Sequence, residues 1–296
     1  QNYETKKRVL WKVEGDKAQP AKGDFIKGVP TVTLTPTGGN RTFTVKLGGD
    51  ANANGTLEDD GEVTQTITVD VLKVEKLTVS DKAHPNVTKS NQPDTKLVVC
   101  ETKNGNATIE IEAQFSPDNA DTQPRTRWKV ECDGAVLSNG NFDEGVQTVT
   151  LTPTGDNRTF TVKIGGDVDA NGILDDDEDE VTHEMIVDVL KLEELTVSNN
   201  ADLTESATNP TDTRLVIRET TDGHAAIKIE AQFVPDNADT QPRVRWKVTD
   251  NAAEIASGNF VGGAKIVALN LNGGYQTFVV TSGCDANDNG ALDGDE

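Results

Sequence analysis

Three tryptophans, Trp11, Trp128 and Trp246, mark three copies of one pattern, 117 and then 118 residues apart. The segment EAQFSPDNADTQPRTRWKV (112–130) returns as EAQFVPDNADTQPRVRWKV (230–248). TVTLTPTGGNRTFTVKLGGD (31–50) returns as TVTLTPTGDNRTFTVKIGGD (148–167), and ITVDVLKVEKLTVS (67–80) as MIVDVLKLEELTVS (185–198). A solenoid unit spans only about 20–45 residues, so a period of this length is that of a whole domain. Whatever one copy folds into, its neighbours fold into as well. Residues 1–74 read as a copy that lacks its first strands, 75–192 as a complete copy, and 193–296 as a copy that lacks its last strand. The ragged ends predict a window on a longer array.

Within a copy the apolar residues alternate with polar ones. Ile109, Ile111, Ala113 and Phe115 share one face, as do Trp128 and Val130, and Val149 and Leu151. Phe160, Val162 and Ile164 form a further such set, and Met185, Val187 and Val189 another. A period of two with polar residues between predicts strands with one wet face. Clusters of Gly, Asn, Asp and Pro separate them. No stretch shows a helical period of apolar residues. The fold class is therefore all-β, with about seven antiparallel strands per copy in a two-sheet sandwich.

The strand order and the inward Trp on the third strand resemble bacterial immunoglobulin-like repeats of surface proteins, the Big and invasin kind. The resemblance covers nearly the whole chain and implies tandem immunoglobulin-like sandwiches in a rod. The usual cysteine pair between the second and sixth strands is missing. Between copies the chain reads VDVLKVEKLTV and VDVLKLEELTV, with no Gly, Pro or Ser. So short a connection restricts bending. Val71-Leu72 and Val189-Leu190 break the alternation, which predicts a bulge or twist as the strand changes sandwich. The recurrent PDNADTQPR is expected to be a structured loop that packs on a neighbouring copy or chain.

Each copy also carries an acidic loop between its sixth and seventh strands. Calcium takes about 6–8 oxygen ligands, and a twelve-residue loop supplies them from positions 1, 3, 5, 7, 9 and 12 around a Gly at 6. In the middle copy Asp167, Asp169 and Asn171 fall at 1, 3 and 5, the Ile173 carbonyl at 7, Asp175 at 9 and Glu178 at 12, with Gly172 at 6. Leu174 at 8 reads as an apolar anchor. The third copy offers Asp285, Asn287, Asn289, the Ala291 carbonyl, Asp293 and Glu296 in the same slots. The first copy offers Asp50, Asn52, Asn54, the Thr56 carbonyl and Glu58, then Gly61 at 12 and Glu62 one place late. Its closing ligand is Glu62, Asp60 or water. These loops resemble EF-hand and dockerin loops, flanked here by strands. An Asp/Asn/Gly-rich hairpin that binds nothing is the plain alternative for one loop; three in register point to Ca2+, about one per repeat. In DDDEDE (175–180) neighbouring charges repel by roughly 1 kcal/mol per pair, and a cation would lock the hairpin and hold the start of the final strand.

The chain carries 50 Asp+Glu against 28 Lys+Arg, a net charge of -22. That charge disfavours nucleic acid and anionic membranes. No run of about 18 apolar residues exists to insert in a membrane. The cysteines Cys100, Cys132 and Cys284 match no zinc or redox motif. Cys100 and Cys132, in one copy, read as a disulfide or, more simply, as two buried or half-exposed thiols, and Cys284 stands alone. Asn40, Asn86, Asn106 and Asn157 match the glycosylation acceptor pattern, which a Thr-rich composition explains. No nucleophile elbow, phosphate loop or zinc pair is present, and His84, His183 and His224 have no repeated partner. The expectation is no enzyme, but a structural segment of an extracellular or cell-surface protein: a calcium-stiffened rod, stalk or fibre. Its partners would be neighbouring copies of the repeat, with filaments by strand exchange as one form. The rival readings are adhesin modules that bind a glycan or protein receptor, and spacers of an extracellular hydrolase.

Overall fold

Alternation in the sequence becomes one buried face on strands such as Ala107–Ser116, Gln147–Leu151 and Thr159–Gly166. The computed structural model describes residues 9–25, 29–37, 39, 41–90, 96–142, 145–175, 181–208, 214–217, 224–270 and 276–292. Among these there is no α-helix, and two short 3-10 turns, Gln123–Arg125 and Gln241–Arg243, sit in the recurrent PDNADTQPR loops. The protein is all-β.

The middle copy is a β-sandwich. One sheet runs in the order Gln147–Leu151, Ala107–Ser116, Lys73–Asp81, Thr88–Ser90; the other orders Ala135–Asn141, Thr126–Cys132, Thr159–Gly166, Val181–Asn199. Between them lie Ile109, Ile111, Trp128, Val130, Val149, Leu151, Phe160, Val162, Ile164, Met185, Val187 and Val189, all buried in one cluster. Ala113 and Phe115 are only partly buried against it; they lie where their strand has outrun its pairing with Gln147–Leu151, which ends at Ile111. A second cluster gathers around Trp246, Val248 and Ile229, and a third around Trp11, Val13 and Phe43. Full burial of one Val, Leu, Ile or Phe side chain contributes about 1.5–3 kcal/mol.

The second junction is one continuous strand, Val181–Asn199. Its first half pairs with Thr159–Gly166, and its second half pairs with His224–Val234. The strand Lys96–Cys100 lies parallel to it over Ile186–Leu190. The expected distortion at Val189-Leu190 is therefore corrected. An extended strand points successive side chains to opposite faces. Val189 enters one core and Leu190 the next, so the broken alternation marks a strand shared by two cores. The bulge lies further on, where Glu193 is passed over in the pairing with His224–Val234. At the first junction Val71 and Leu72 do fall between strands, Val63–Asp70 and Lys73–Asp81.

The PDNADTQPR loops reach back onto the preceding last strand. Asn119 Nδ2 donates to Asp70 Oδ2 at 3.0 Å, and Asn237 Nδ2 to Asp188 Oδ2 at 2.9 Å. The other carboxylate oxygen accepts from Thr42 Oγ1 in the first case and Thr159 Oγ1 in the second, both at 2.6 Å. Arg41 Nε and Arg158 Nε each donate at 2.8 Å to the next backbone carbonyl, Val71 and Val189. The same clasp is thus built twice.

The cysteine expectation is overturned. Cys100 and Cys284 form a disulfide, Cα–Cα 6.0 Å, and Cys132 is the free thiol. The reason is strand parity. Leu97 and Val99 face the middle core while Val98 faces the next, so Cys100 faces away from the core against which Cys132 packs. Spacing within a copy could not show that Cys100 looks across the junction.

Candidate metal centre

Each acidic loop begins with an Asp whose side chain folds back under the loop. Asp50, Asp167 and Asp285 are all buried. Asp50 Oδ1 and Oδ2 accept the amides of Asn54 at 3.0 Å and Gly55 at 2.9 Å. Asp285 accepts those of Asn289 at 3.0 Å and Gly290 at 2.8 Å, and Asp167 Oδ2 that of Gly172 at 3.0 Å. The position-three side chain turns onto the position-five amide: Asn52 on Asn54 at 3.0 Å, Asp169 on Asn171 at 3.0 Å, Asn287 on Asn289 at 3.1 Å. The position-five side chain then turns onto the position-seven amide of Thr56 at 2.8 Å, Ile173 at 2.7 Å and Ala291 at 2.8 Å. Such nested Asx turns curl the backbone about a point.

The curl needs left-handed backbone at two places. Position four holds Ala53, Ala170 and Asp288, with φ of 61°, 62° and 58°. Position six holds Gly55, Gly172 and Gly290, where only Gly adopts this conformation without strain. Leu174 and Leu57 at position eight are buried as anchors.

The acid at nine stays beside the amide at five. Asn54 Nδ2 donates to Glu58 Oε1 at 2.8 Å, and Asn171 Nδ2 to Asp175 Oδ2 at 3.2 Å. In the first loop Glu62 is buried; its Oε1 accepts the amides of Ala51 at 2.8 Å and Asn52 at 3.2 Å, its Oε2 that of Glu58 at 2.9 Å. The Glu58 amide, then those of Ala51 and Asn52, hold this carboxyl below the usual glutamate range against the opposing effect of burial. A closing acid one place late therefore still lies inside the loop. Glu178, Asp293 and Glu296 lie outside the described residues. Among the described residues, no group of three or more His, Cys, Asp or Glu side chains converges on one point.

The residues present fit a hard cation on one specific observation. Asp167 Oδ2 is held by the Gly172 amide and by Arg127 Nε at 3.3 Å, whereas Asp167 Oδ1 is buried and accepts no hydrogen bond. A buried acceptor without a partner costs about 1–3 kcal/mol, and more when charged. A divalent ion at position one would supply what Oδ1 lacks.

Sequence reasoning missed the cations beneath the loops. Arg127 pairs with Asp167, and Arg245 Nε lies 3.4 Å from Asp285 Oδ2. Arg125 Nη1 donates to the Asp167 carbonyl at 2.9 Å, and Arg243 Nε to that of Asp285 at 2.8 Å. The Asp167 and Asp285 amides donate back to Arg125 and Arg243, both at 2.8 Å. Lys12 and Lys46 both reach Asp59, and Lys247 Nζ donates to the Leu292 carbonyl at 2.8 Å. The available signal was the recurrence of Arg-x-Arg-Trp-Lys at 125–129 and 243–247, in the middle and third copies; the first copy has Leu10 where these have the second Arg. The two Arg pairs also place the middle and third loops. Arg125 and Arg243 end the same PDNADTQPR loops that clasp Asp70 and Asp188, so these two acidic loops are wired to the junctions that precede their own copies.

No protein-family model matches the chain, and no curated protein is similar to it. Among solved structures, that of Salmonella alpha-2-macroglobulin reacted with methylamine aligns with 94% of this chain and 20% of its own, at 9% identity and a TM-score of 0.22. The chain thus spans about a fifth of that protein's length.

Proposed function

We propose that the chain is a structural segment of an extracellular or cell-surface repeat protein: immunoglobulin-like sandwiches in a rod, with calcium in the acidic loops stiffening the junctions. The observation that carries the reading is the buried Asp167 Oδ1 with no partner, in a loop whose curl recurs at Asp50 and Asp285. In the middle loop Asp167, Asp169, Asn171, the Ile173 carbonyl, Asp175 and Glu178 would hold the ion, and the other loops use the matching residues. Bound calcium supplies a fixed positive charge that pulls these oxygens together. The protein's own part is to present them: in the middle loop Arg127 and the Gly172 amide hold Asp167 Oδ2 and Arg125 holds the backbone root, and Asp167 Oδ1 is left without a partner.

Two further features support the setting. A disulfide persists in oxidising compartments, outside the cytosol. Calcium sites of extracellular modules bind at about 10⁻⁴–10⁻³ M, a range that fills them outside cells. No helix among the described residues is long and apolar enough to cross a membrane.

Thermal unfolding with millimolar calcium and with excess chelator tests the proposal. Calcium should raise the midpoint by several degrees, and Asp167→Ala together with Asp285→Ala should remove most of the rise. An unchanged midpoint on chelation would refute it.

A further inference from the structure

The disulfide joins places that belong to different copies. Cys100 ends the strand Lys96–Cys100, which lies parallel to the long junction strand. The next residue continues the pairing: the Glu101 amide donates to the Leu190 carbonyl at 2.9 Å. Glu101 Oε2 lies 2.9 Å from Arg158 Nη2, and Arg158 Nε holds the Val189 carbonyl at 2.8 Å. Cys284 ends the strand Phe278–Cys284 and directly precedes Asp285, position one of the third acidic loop. Asp285 is bonded through its backbone to Arg243, and the loop that carries Arg243 clasps the buried Asp188 through Asn237. Lys96 Nζ lies 3.4 Å from that same Asp188 Oδ2. Covalent and polar links thus form a closed ring around the second junction, with the third acidic loop as one of its sides.

The first junction has no such bond. Gly49 and Gly166 stand where the third copy has Cys284. A Cβ placed on Gly166 would meet Leu72 Cδ2 at 3.5 Å, an ordinary packing contact. The two junctions share the Asp–Asn clasp, and only the second adds a covalent bond.

We propose that the Cys100–Cys284 disulfide is a junction-specific staple that couples the second junction to the third acidic loop. Closed, it fixes the strand Lys96–Cys100 against the long strand and holds the root of the loop at Asp285. Opened, it loosens both together. Both cysteines are half-buried. Opening takes a dithiol: one of its thiolates attacks one sulfur of the bridge and expels the other as a thiolate, which takes up a proton. The second thiol of the reductant then resolves the mixed disulfide and leaves as its cyclic disulfide, with two electrons and two protons passed to Cys100 and Cys284. Closure reverses these steps with a disulfide as oxidant. The part that concerns calcium rests on the function proposed above; the staple itself does not.

Peptide mapping of the full chain without reductant comes first. It should find the Cys100 and Cys284 peptides linked and Cys132 open to alkylation; a Cys100–Cys132 link overturns the proposal. Hydrogen exchange then compares the wild-type chain with Cys100→Ser/Cys284→Ser, and with Cys132→Ser as control. Amides of 96–100 and of 285–292 should exchange about tenfold faster in the double variant. Those of 107–111 should not change, and the control should match the wild type. Unchanged exchange at either of the first two segments overturns the coupling. If the double variant does not fold, folded wild-type chain treated with a dithiol gives the same comparison. Added calcium should slow exchange in 167–175 in both chains, and in 285–292 several-fold less in the double variant. Calcium that protects no loop in either chain sinks the calcium reading alone, because the comparison without calcium still decides the staple.

Discussion

Gly140 and Gly258 lie flat against the indoles of Trp128 and Trp246. A Cβ on either would stand 3.1 Å from the ring, and each indole Nε1 donates at 3.2 Å to a carbonyl on the same strand, Asn141 or Asn259. The ring cannot retreat without losing that bond. Gly140→Ala should therefore cost about 1–3 kcal/mol, read as a lower midpoint in urea, while alanine at the exposed Gly134, which meets nothing but has a φ of 75°, should cost less. A second residue-scale expectation concerns acid. Lys46, then Lys12, hydrogen-bond Glu14 and hold its carboxyl below the ordinary value of 4.5. The folded state thus binds that proton less readily than the unfolded chain. The stabilisation is present above the ordinary value and is lost as pH falls through the folded one. Glu14→Gln should flatten the acid side of the stability–pH curve, and an unaltered curve would show that the pair contributes nothing. At this scale the inward residues were legible because alternation maps directly onto strand faces. The Gly–Trp stacking was not, since Trp128 and Gly140 sit on neighbouring strands and no local pattern links them.

At the scale of elements, the Asp–Asn clasp is the feature to test. Asp188 is fully buried, and Asn237 Nδ2 at 2.9 Å is one of its few donors. Removing a hydrogen bond to a buried charge costs about 1.5–3 kcal/mol. Asn237→Ala should lower the unfolding midpoint accordingly, and Asp239→Ala, an exposed neighbour in the same loop, should change it little. Equal effects would mean that the loop matters as a whole and the clasp does not. The acidic loops were readable as elements because their ligand spacing is local. Their position was legible only in part: the loop was expected to act through the strand leading to the following copy, and the Arg125 and Arg243 bonds add a tie to the junction before. The long strand was half legible. A connection free of Gly and Pro promised continuity, but only the pairing partners show that Val189 and Leu190 serve two cores.

Over the whole molecule, one device is repeated and one is not. Clasp and acidic loop recur at both junctions; the disulfide is confined to the second. On the account above, the second junction stays the stiffer of the two when calcium is withdrawn. Limited proteolysis in chelator should then cut near Val71-Leu72 before it cuts near Val189-Leu190, and the reverse order would count against the staple. The repeat made the copies legible from the sequence at once, because Trp11, Trp128 and Trp246 carry the same neighbours. It also misled about the cysteines, since a pairing between copies leaves no trace in the comparison of one copy with another.

The most direct measurement is a calorimetric calcium titration of chelator-stripped chain beside Asp167→Ala/Asp285→Ala. Saturable uptake of about one ion per acidic loop, with a dissociation constant of about 10⁻⁴–10⁻³ M and loss of the middle and third sites in the variant, is the predicted result. No saturable uptake, or uptake that the variant leaves intact, would contradict the account.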